Sequence, residues 1–428
     1  MKTAMTRIAL LAGLATASTA SAAPAFGTPG TLATAQRPGG VASADFNGDG
    51  LADLAVTADN IDRIDVFFGT GGGAFGPATP IFTGANSGPD ALVSADVNGD
   101  GQADLVVVLK NQNTVRVYTN NGGAFAAGSS AGTGAEPVSL RSADLDGDGD
   151  ADFVVANRDG NSFSVLTNTG GALASASFGA GLEPRDAAPI DINGDGQMEV
   201  AVSNHDARNI TIHASGTYAV QQTLAVNPIT RPEGLAVADL DGDGDSDLAA
   251  ALSDDAISFA GLYMNNGASL GAAVNVVTNG ADTGGIIAAD FDLDGDIDLV
   301  TANQDSNNVS VIENAAGVFQ VGAVMPVGTR PEAMFSADLD NNGSPDFAVT
   351  NRDSNNTMVF LSDAVGAPQP CNAADLAEAF GVLDLADVQA FVAGFTAQNP
   401  VADIDGNGVF DLADIQAFVL AFTTGCPA

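Results

Sequence analysis

The sequence predicts an all-β fold, a seven-bladed β-propeller of four-stranded blades, followed by a small C-terminal α-helical module. Three observations predict it. An aspartate-rich loop recurs seven times at one period, and four short apolar runs fill each period. The N-terminal segment also has the composition of the one strand that the seventh period lacks.

The loops begin at Asp45, Asp96, Asp144, Asp191, Asp239, Asp290 and Asp338, spaced by 51, 48, 47, 48, 51 and 48 residues. Their form is D-x-[DN]-x-[DN]-G-x-x-[DE], the front of an EF-hand calcium loop. Hard oxygen donors at positions 1, 3, 5 and 9 would point inward from a tightly curved backbone, with the position 7 carbonyl adding to the shell. A glycine at position 6 permits the turn. The expected ligands are Asp45, Asn47, Asp49 and Asp53 in the first loop, then Asp96, Asn98, Asp100 and Asp104. They continue as Asp144, Asp146, Asp148 and Asp152, and as Asp191, Asn193, Asp195 and Glu199. The last three sets are Asp239, Asp241, Asp243 and Asp247; Asp290, Asp292, Asp294 and Asp298; and Asp338, Asp340, Asn342 and Asp346. A solvated acidic turn has no reason to recur in register between apolar runs.

These positions hold 24 of the 53 acidic residues and account for much of the net charge of −40. With 45% apolar residues and carboxylates at regular intervals, the chain reads as folded rather than as an acidic disordered segment. It has no basic patch that could release phosphate counterions, which excludes a nucleic-acid partner. Unless cations bind, so much like charge repels itself.

In the first period Val41–Ala44 leads into the aspartate loop. Ala52–Thr57 follows as a second strand, Ile64–Phe68 as a third, and a Gly71-Gly72-Gly73 turn opens a fourth around Phe75–Phe82. The seventh period has strands near Phe347–Thr350 and Thr357–Leu361 and then stops. Residues 25–34 are expected to supply its fourth strand, closing the ring and removing a sheet edge.

Residues 1–22 read as an export signal, with Lys2 and Arg7 ahead of an apolar run and Ala20-Ser21-Ala22 at its end. No later stretch is long enough to span a membrane. The propeller is assigned to 23–363, a linker to 364–370 and a distinct module to 371–428. Cys371 and Cys426 flank that module, which suits one disulfide in an oxidising compartment. Within it, Asp403, Asp405, Asn407, Asp411 and Asp414 form a twelve-residue calcium loop ahead of apolar residues at helical spacing, Ile415, Phe418, Val419 and Phe422. An earlier set, Asp375, Glu378, Gly381, Asp384 and Asp387, is irregular.

Residues 25–363 resemble the FG-GAP or VCBS repeats of the integrin alpha-chain head and of many bacterial surface proteins. The signatures themselves are only partly kept, in Phe75-Gly76 and in Gly88-Pro89. The resemblance implies calcium in loops that join the first and second strands of each blade. It also implies a secreted or cell-surface module that binds a carbohydrate or an extracellular protein. The last 58 residues resemble a dockerin-type pair of calcium loops, which implies a cohesin-like or surface-anchoring partner. Some seven-bladed folds with such repeats are polysaccharide lyases, so a carbohydrate-active enzyme is the alternative.

No zinc-hydrolase or nucleophile-elbow motif occurs. His205 lies in the polar loop Asn204-His205-Asp206-Ala207-Arg208, which reads either as a base beside a clamp or as an exposed loop. The basic residues are more telling. Arg63, Lys110, Arg158, Arg208 and Arg352 fall in loops joining second to third strands, and Arg37, Arg185, Arg231 and Arg330 fall between blades. These nine share the rim opposite the calcium loops. Arg63, Arg158, Arg208 and Arg352 are therefore candidate ligand contacts. The alternative is that they pair with acidic residues of neighbouring blades.

Overall fold

Each period folds into one antiparallel four-stranded sheet, and seven such sheets form the ring. In the computed structural model residues 24–254 and 256–362 are described, together with Phe391 and Ile415. The expected export signal, the Cys371–Cys426 pair and the C-terminal calcium loop lie outside the described residues. Blade 1 runs outward from the channel as Pro38–Ala44, Asp53–Ala58, Arg63–Phe67 and Thr79–Phe82.

The second strands are buried along their whole length, as in Leu54–Ala58 and Leu105–Leu109. Each is covered on both faces by its neighbours, so it carries a continuous apolar run instead of alternation. The outermost strands alternate: Val318–Pro326 exposes every second residue. The core is accordingly a ring of seven clusters between blades. Leu54, Val56, Val359 and Leu339 join blades 1 and 7, for example, and Ile190, Ile212, Leu235 and Tyr263 join blades 4 and 5.

The expected fourth strand of blade 1 is interrupted. Gly69–Gly71 and Ala74–Phe75 make a small separate hairpin, and only Thr79–Phe82 pairs with the third strand. Pro77 explains the break, because it has no N–H for a ladder.

Blade 7 is completed from the other end of the chain. Pro331–Ala337, Asp346–Asn351 and Asn356–Phe360 are followed in space by Gly30–Ala33, which pairs with the third of them, Gly30 opposite Val359 and Ala33 opposite Asn356. A bridge between Phe26 and Ser362 extends the pairing. Phe26 lies edge-on to Phe291 and Phe347, with ring centroids 5.6 and 5.0 Å away. Closure is reinforced by Thr350 Oγ1 donating to Gly39 O at 2.7 Å.

Six of the seven inner strands carry a bulge near their start, beside Pro38, Pro89, Pro184, Pro232, Thr283 and Pro331. Bulges re-aim side chains. Here they lie at one mouth of the channel, where Asp90, Arg185, Glu233 and Glu332 are found.

Candidate metal loops and the channel mouth

All seven aspartate loops join the first and second strands of their blades. Position 1 organises each loop. Asp45 Oδ1 accepts the N–H of Gly48 at 2.7 Å and Oδ2 that of Gly50 at 2.8 Å, and Asp96, Asp144, Asp191 and Asp239 repeat both bonds. Position 5 accepts from position 7, as in Asp49 Oδ1 from Leu51 N at 2.9 Å. Position 4 is left-handed, with φ between 59° and 82°, which favours glycine; Leu293 and Asn341 accept it in the last two loops.

Position 9 opens the second strand and is buried in every blade. Asp104 Oδ2 accepts the N–H of Val97 at 3.2 Å, inside the loop. Its Oδ1 accepts that of Asn120 at 2.8 Å, at the end of the third strand. The same two bonds recur at Asp53, Asp152, Asp247, Asp298 and Asp346. Position 9 is therefore a clamp between loop and hairpin in addition to being a candidate ligand. Glu199 is the exception: its carboxylate holds Ile192 N, at 3.1 Å, and makes no bond to the end of the third strand among the described residues.

Four loops bring three carboxylate oxygens within 4.8 Å of one another: Asp144, Asp146 and Asp152; Asp239, Asp241 and Asp247; Asp290, Asp292 and Asp294; and Asp338, Asp340 and Asp346. The other three have Asn at position 3, which contributes an amide oxygen instead. Burial pushes the position 9 carboxyls up, and the neighbouring loop carboxylates add repulsion against the pull of the backbone N–H groups. Asp298 is pushed up to about 7 and Asp346 to about 6. A cation among these oxygens would reverse that repulsion. The donors are hard oxygens, without nitrogen or sulfur, and this set suits calcium.

The loops are also tied to each other. Asn120 Nδ2 donates to Phe46 O at 2.8 Å, so blade 2 grips the loop of blade 1. Asn168, Asn265, Asn314 and Ser362 reach the corresponding carbonyls of Val97, Ile192, Leu240 and Phe291. Blade 1 has Gly69 at this position, with no polar side chain to donate, and blade 4 has Ser215, whose hydroxyl makes no such bond among the described residues.

The opposite face opens into the central channel, a cavity of about 1360 Å³. Eight of the chain's 13 lysines and arginines line it: Arg37, Lys110, Arg141, Arg158, Arg185, Arg231, Arg330 and Arg352. Acidic residues stand among them. Lys110 Nζ is 2.8 Å from Asp59 and 3.4 Å from Asp90, and Arg141 is 2.8 Å from Asp186. Of the four arginines expected to contact a ligand, all are engaged. Arg63 holds the buried Asp65 of its own strand at 2.7 Å, and Arg158 pairs with Glu136. Arg208 donates to Pro228 O at 2.8 Å, and Arg352 pairs with Glu332 and reaches Asp59 at 3.7 Å. Only Arg158 and Arg352 of these line the channel. Arg37, Arg231 and Arg330 form no side-chain ion pair among the described residues.

The amides beside these charges serve as blade-to-blade fasteners. Asn113, Asn161, Asn307 and Asn355 are left-handed, and each Oδ1 accepts a backbone N–H from the next inter-blade loop. Asn355 does so across the closure, from Arg37 N at 2.9 Å.

Five stretches of the chain match the FG-GAP-like repeat: 45–107, 96–155, 144–202, 191–250 and 290–349. The chain belongs to the FG-GAP-like repeat family. No curated protein is significantly similar to it. Many solved structures match it, among them the crystal structure of BBS1N in complex with ARL6DN, soaked with lead. That match has a TM-score of 0.58 at 12% identity and covers 81% of this chain and 99% of the other, so it speaks for the fold alone.

In this FG-GAP-like propeller two features escaped the reading of the sequence. One is the set of bulges at the channel mouth, whose signal was the proline seven residues ahead of six of the seven first aspartates. The other is His213, wholly buried between Thr211 Oγ1 at 2.9 Å and Tyr218 O at 3.0 Å. His205 is half-buried instead of exposed, and among the described residues no helix is long and apolar enough to cross a membrane.

Proposed function

We propose that the chain is an exported, calcium-loaded propeller that binds a carboxylate-bearing ligand, carbohydrate or protein, at the channel mouth opposite its calcium loops. The segment 371–428 would serve as its docking or anchoring tail. The binding-module reading agrees with the FG-GAP-like propeller. The observation that carries the choice of ligand is the gathering of eight basic residues along the channel of a protein with net charge −40, three of them without a side-chain ion pair among the described residues. An arginine held in that way can offer two parallel hydrogen bonds to a carboxylate.

Calcium is supported by the all-oxygen loops and by the crowded carboxylates, which would repel one another without it. The leader-like residues 1–22 support export to a compartment where calcium is plentiful and Cys371 can pair with Cys426.

The test is a screen of the calcium-loaded protein against uronate-bearing and neutral polysaccharides and against acidic and neutral peptides. It would read retention and any new reducing or unsaturated ends. Arg37→Ala, Arg231→Ala and Arg330→Ala together are expected to abolish retention of the acidic ligand without changing the melting temperature. Unaltered retention in the triple variant would refute the proposed mouth.

A further inference from the structure

In three blades the residue six beyond position 9 is a permanent cation set against carboxylates. Lys110 faces Asp59 and Asp90, Arg158 faces Glu136, and Arg352 faces Glu332. In blade 4 that residue is His205, an imidazole with its side chain 12% exposed. Three carboxylates surround it. Nε2 lies 3.0 Å from Glu233 Oε1; Nδ1 lies 2.9 Å from Asp206 Oδ1 and 3.8 Å from Glu183 Oε2. Arg185 stands 3.5 Å from Glu183 and 3.7 Å from Glu233, and its single charge leaves the group of carboxylates at net −2.

The loop that presents these groups is pinned by its backbone. His205 N donates to Glu183 O at 3.0 Å, Asp206 N to Leu182 O at 3.2 Å, and Arg208 N to His205 O at 3.2 Å. A neutral imidazole has one N–H, yet both of its nitrogens face carboxylate oxygen here. One nitrogen therefore sets a lone pair against negative charge unless it carries a second proton or a metal cation stands beside it.

The geometry points to a divalent transition-metal site of the zinc class, formed by His205 Nδ1, Asp206 and Glu183, with Glu233 accepting the Nε2 proton. The three ligand atoms lie within 4.8 Å of one another. Ligands about 2.0–2.2 Å from a tetrahedral zinc stand roughly 3.3–3.5 Å apart, and the observed 2.9 and 3.8 Å straddle that spacing. A carboxylate on the far nitrogen is the arrangement that fixes the tautomer and orientation of a metal-bound histidine. The nitrogen in the donor set separates this site from the all-oxygen calcium loops on the other rim. Three protein ligands leave a fourth position for water or for a carboxylate brought by a ligand.

The chain has two histidines, so its imidazole NMR spectrum contains His205 and the buried His213 and nothing else. The experiment adds Zn2+ to the full chain in excess Ca2+. The expected result is a shift of the His205 Nδ1 signal that saturates at a single equivalent while His213 stays in place. Calorimetry should show this binding lost in His205→Asn and weakened roughly 10–100-fold in Glu233→Gln. Two results would overturn the site: His205 signals indifferent to Zn2+, as an imidazolium clamped by three carboxylates would be, or Zn2+ binding that His205→Asn leaves unchanged. The wild-type spectrum gives an answer even where a variant folds poorly.

Discussion

Replacing Asp104 with alanine tests whether position 9 is a clamp as well as a ligand. Asp104 is buried and accepts two backbone N–H groups, from Val97 and Asn120. Alanine leaves both donors unpaired in the interior. A hydrogen bond to a charged group contributes about 1.5–3 kcal/mol, and an unsatisfied buried donor costs about 1–3 kcal/mol. The desolvation that raises the Asp104 pKa is relieved by the same change and offsets part of this. A net loss of about 4 kcal/mol remains. With an unfolding entropy of about 2.1 cal/mol/K per residue over roughly 330 residues, that lowers Tm by about 6 °C.

Asp96→Ala is the matched control. Asp96 is exposed at position 1 of the same loop, and the N–H groups it holds can turn to water. Scanning calorimetry of both variants should be run in chelator and in excess calcium. In calcium both melt lower than wild type. In chelator only Asp104→Ala does, while Asp96→Ala stays within about 2 °C of wild type because it has lost little beyond solvent-replaceable bonds. Equal melting temperatures for the two variants in chelator would refute the clamp.

Chelation of the wild-type protein is expected to lower Tm by many degrees, since each site filled at a hundredfold excess over Kd contributes about 2.7 kcal/mol; an unchanged midpoint would remove calcium from the account. Truncation through Thr34 takes Gly30–Ala33 from blade 7 and exposes Phe347 and Phe360, so aggregation is expected by light scattering, and a stable monomer would contradict closure by this strand. Arg158→Ala and Arg352→Ala should lower stability through their lost pairs with Glu136 and Glu332, in contrast to the unpaired arginines. His213 is held neutral by burial, with its pKa below the usual value, whereas the unfolded chain takes up a proton as pH falls through about 6.5. Its contribution to stability is therefore present above that pH and is lost below it. Urea midpoints at pH 7.5 and 5.5 should differ less in His213→Phe than in wild type, and an equal pH dependence would disprove the neutral assignment.

The ring was legible because its information is local and repeated. One loop of fixed form, four runs of fixed order and a missing strand at Leu361 were enough to place Gly30–Ala33 at the far end of the chain. The channel mouth was less legible, because pairing there depends on which residues neighbouring blades bring together. Lys110 meets Asp59 from 51 residues away, and Arg352 meets Asp59 through the closure. Arg63 and Asp65 were closer to readable, since residues two apart share one face of a strand. Position 9 was recognised for its oxygens, but no spacing rule announces that both would be taken by N–H groups. His213 stands where blades 5 and 7 have Tyr263 and Phe360, and composition alone does not mark an imidazole as core.

The fasteners on the rim of the aspartate loops run from Asn120 and Asn168 back to blade 1, and from Asn265, Asn314 and Ser362 back to blade 4. With Gly69 and Ser215 supplying none among the described residues, the rim is two arcs, one of three loops and one of four, abutting at two seams. At the seam between blades 7 and 1, Asn341 Nδ2 donates to Gly50 O at 2.9 Å and the closing strand lies beside it. The seam between blades 3 and 4 has instead a cavity of about 510 Å³ beside Phe178 and Tyr218. Strain on the ring, from a pulled tether or from uneven loss of metal, therefore concentrates along that line, and the two arcs are the units in which the rim yields.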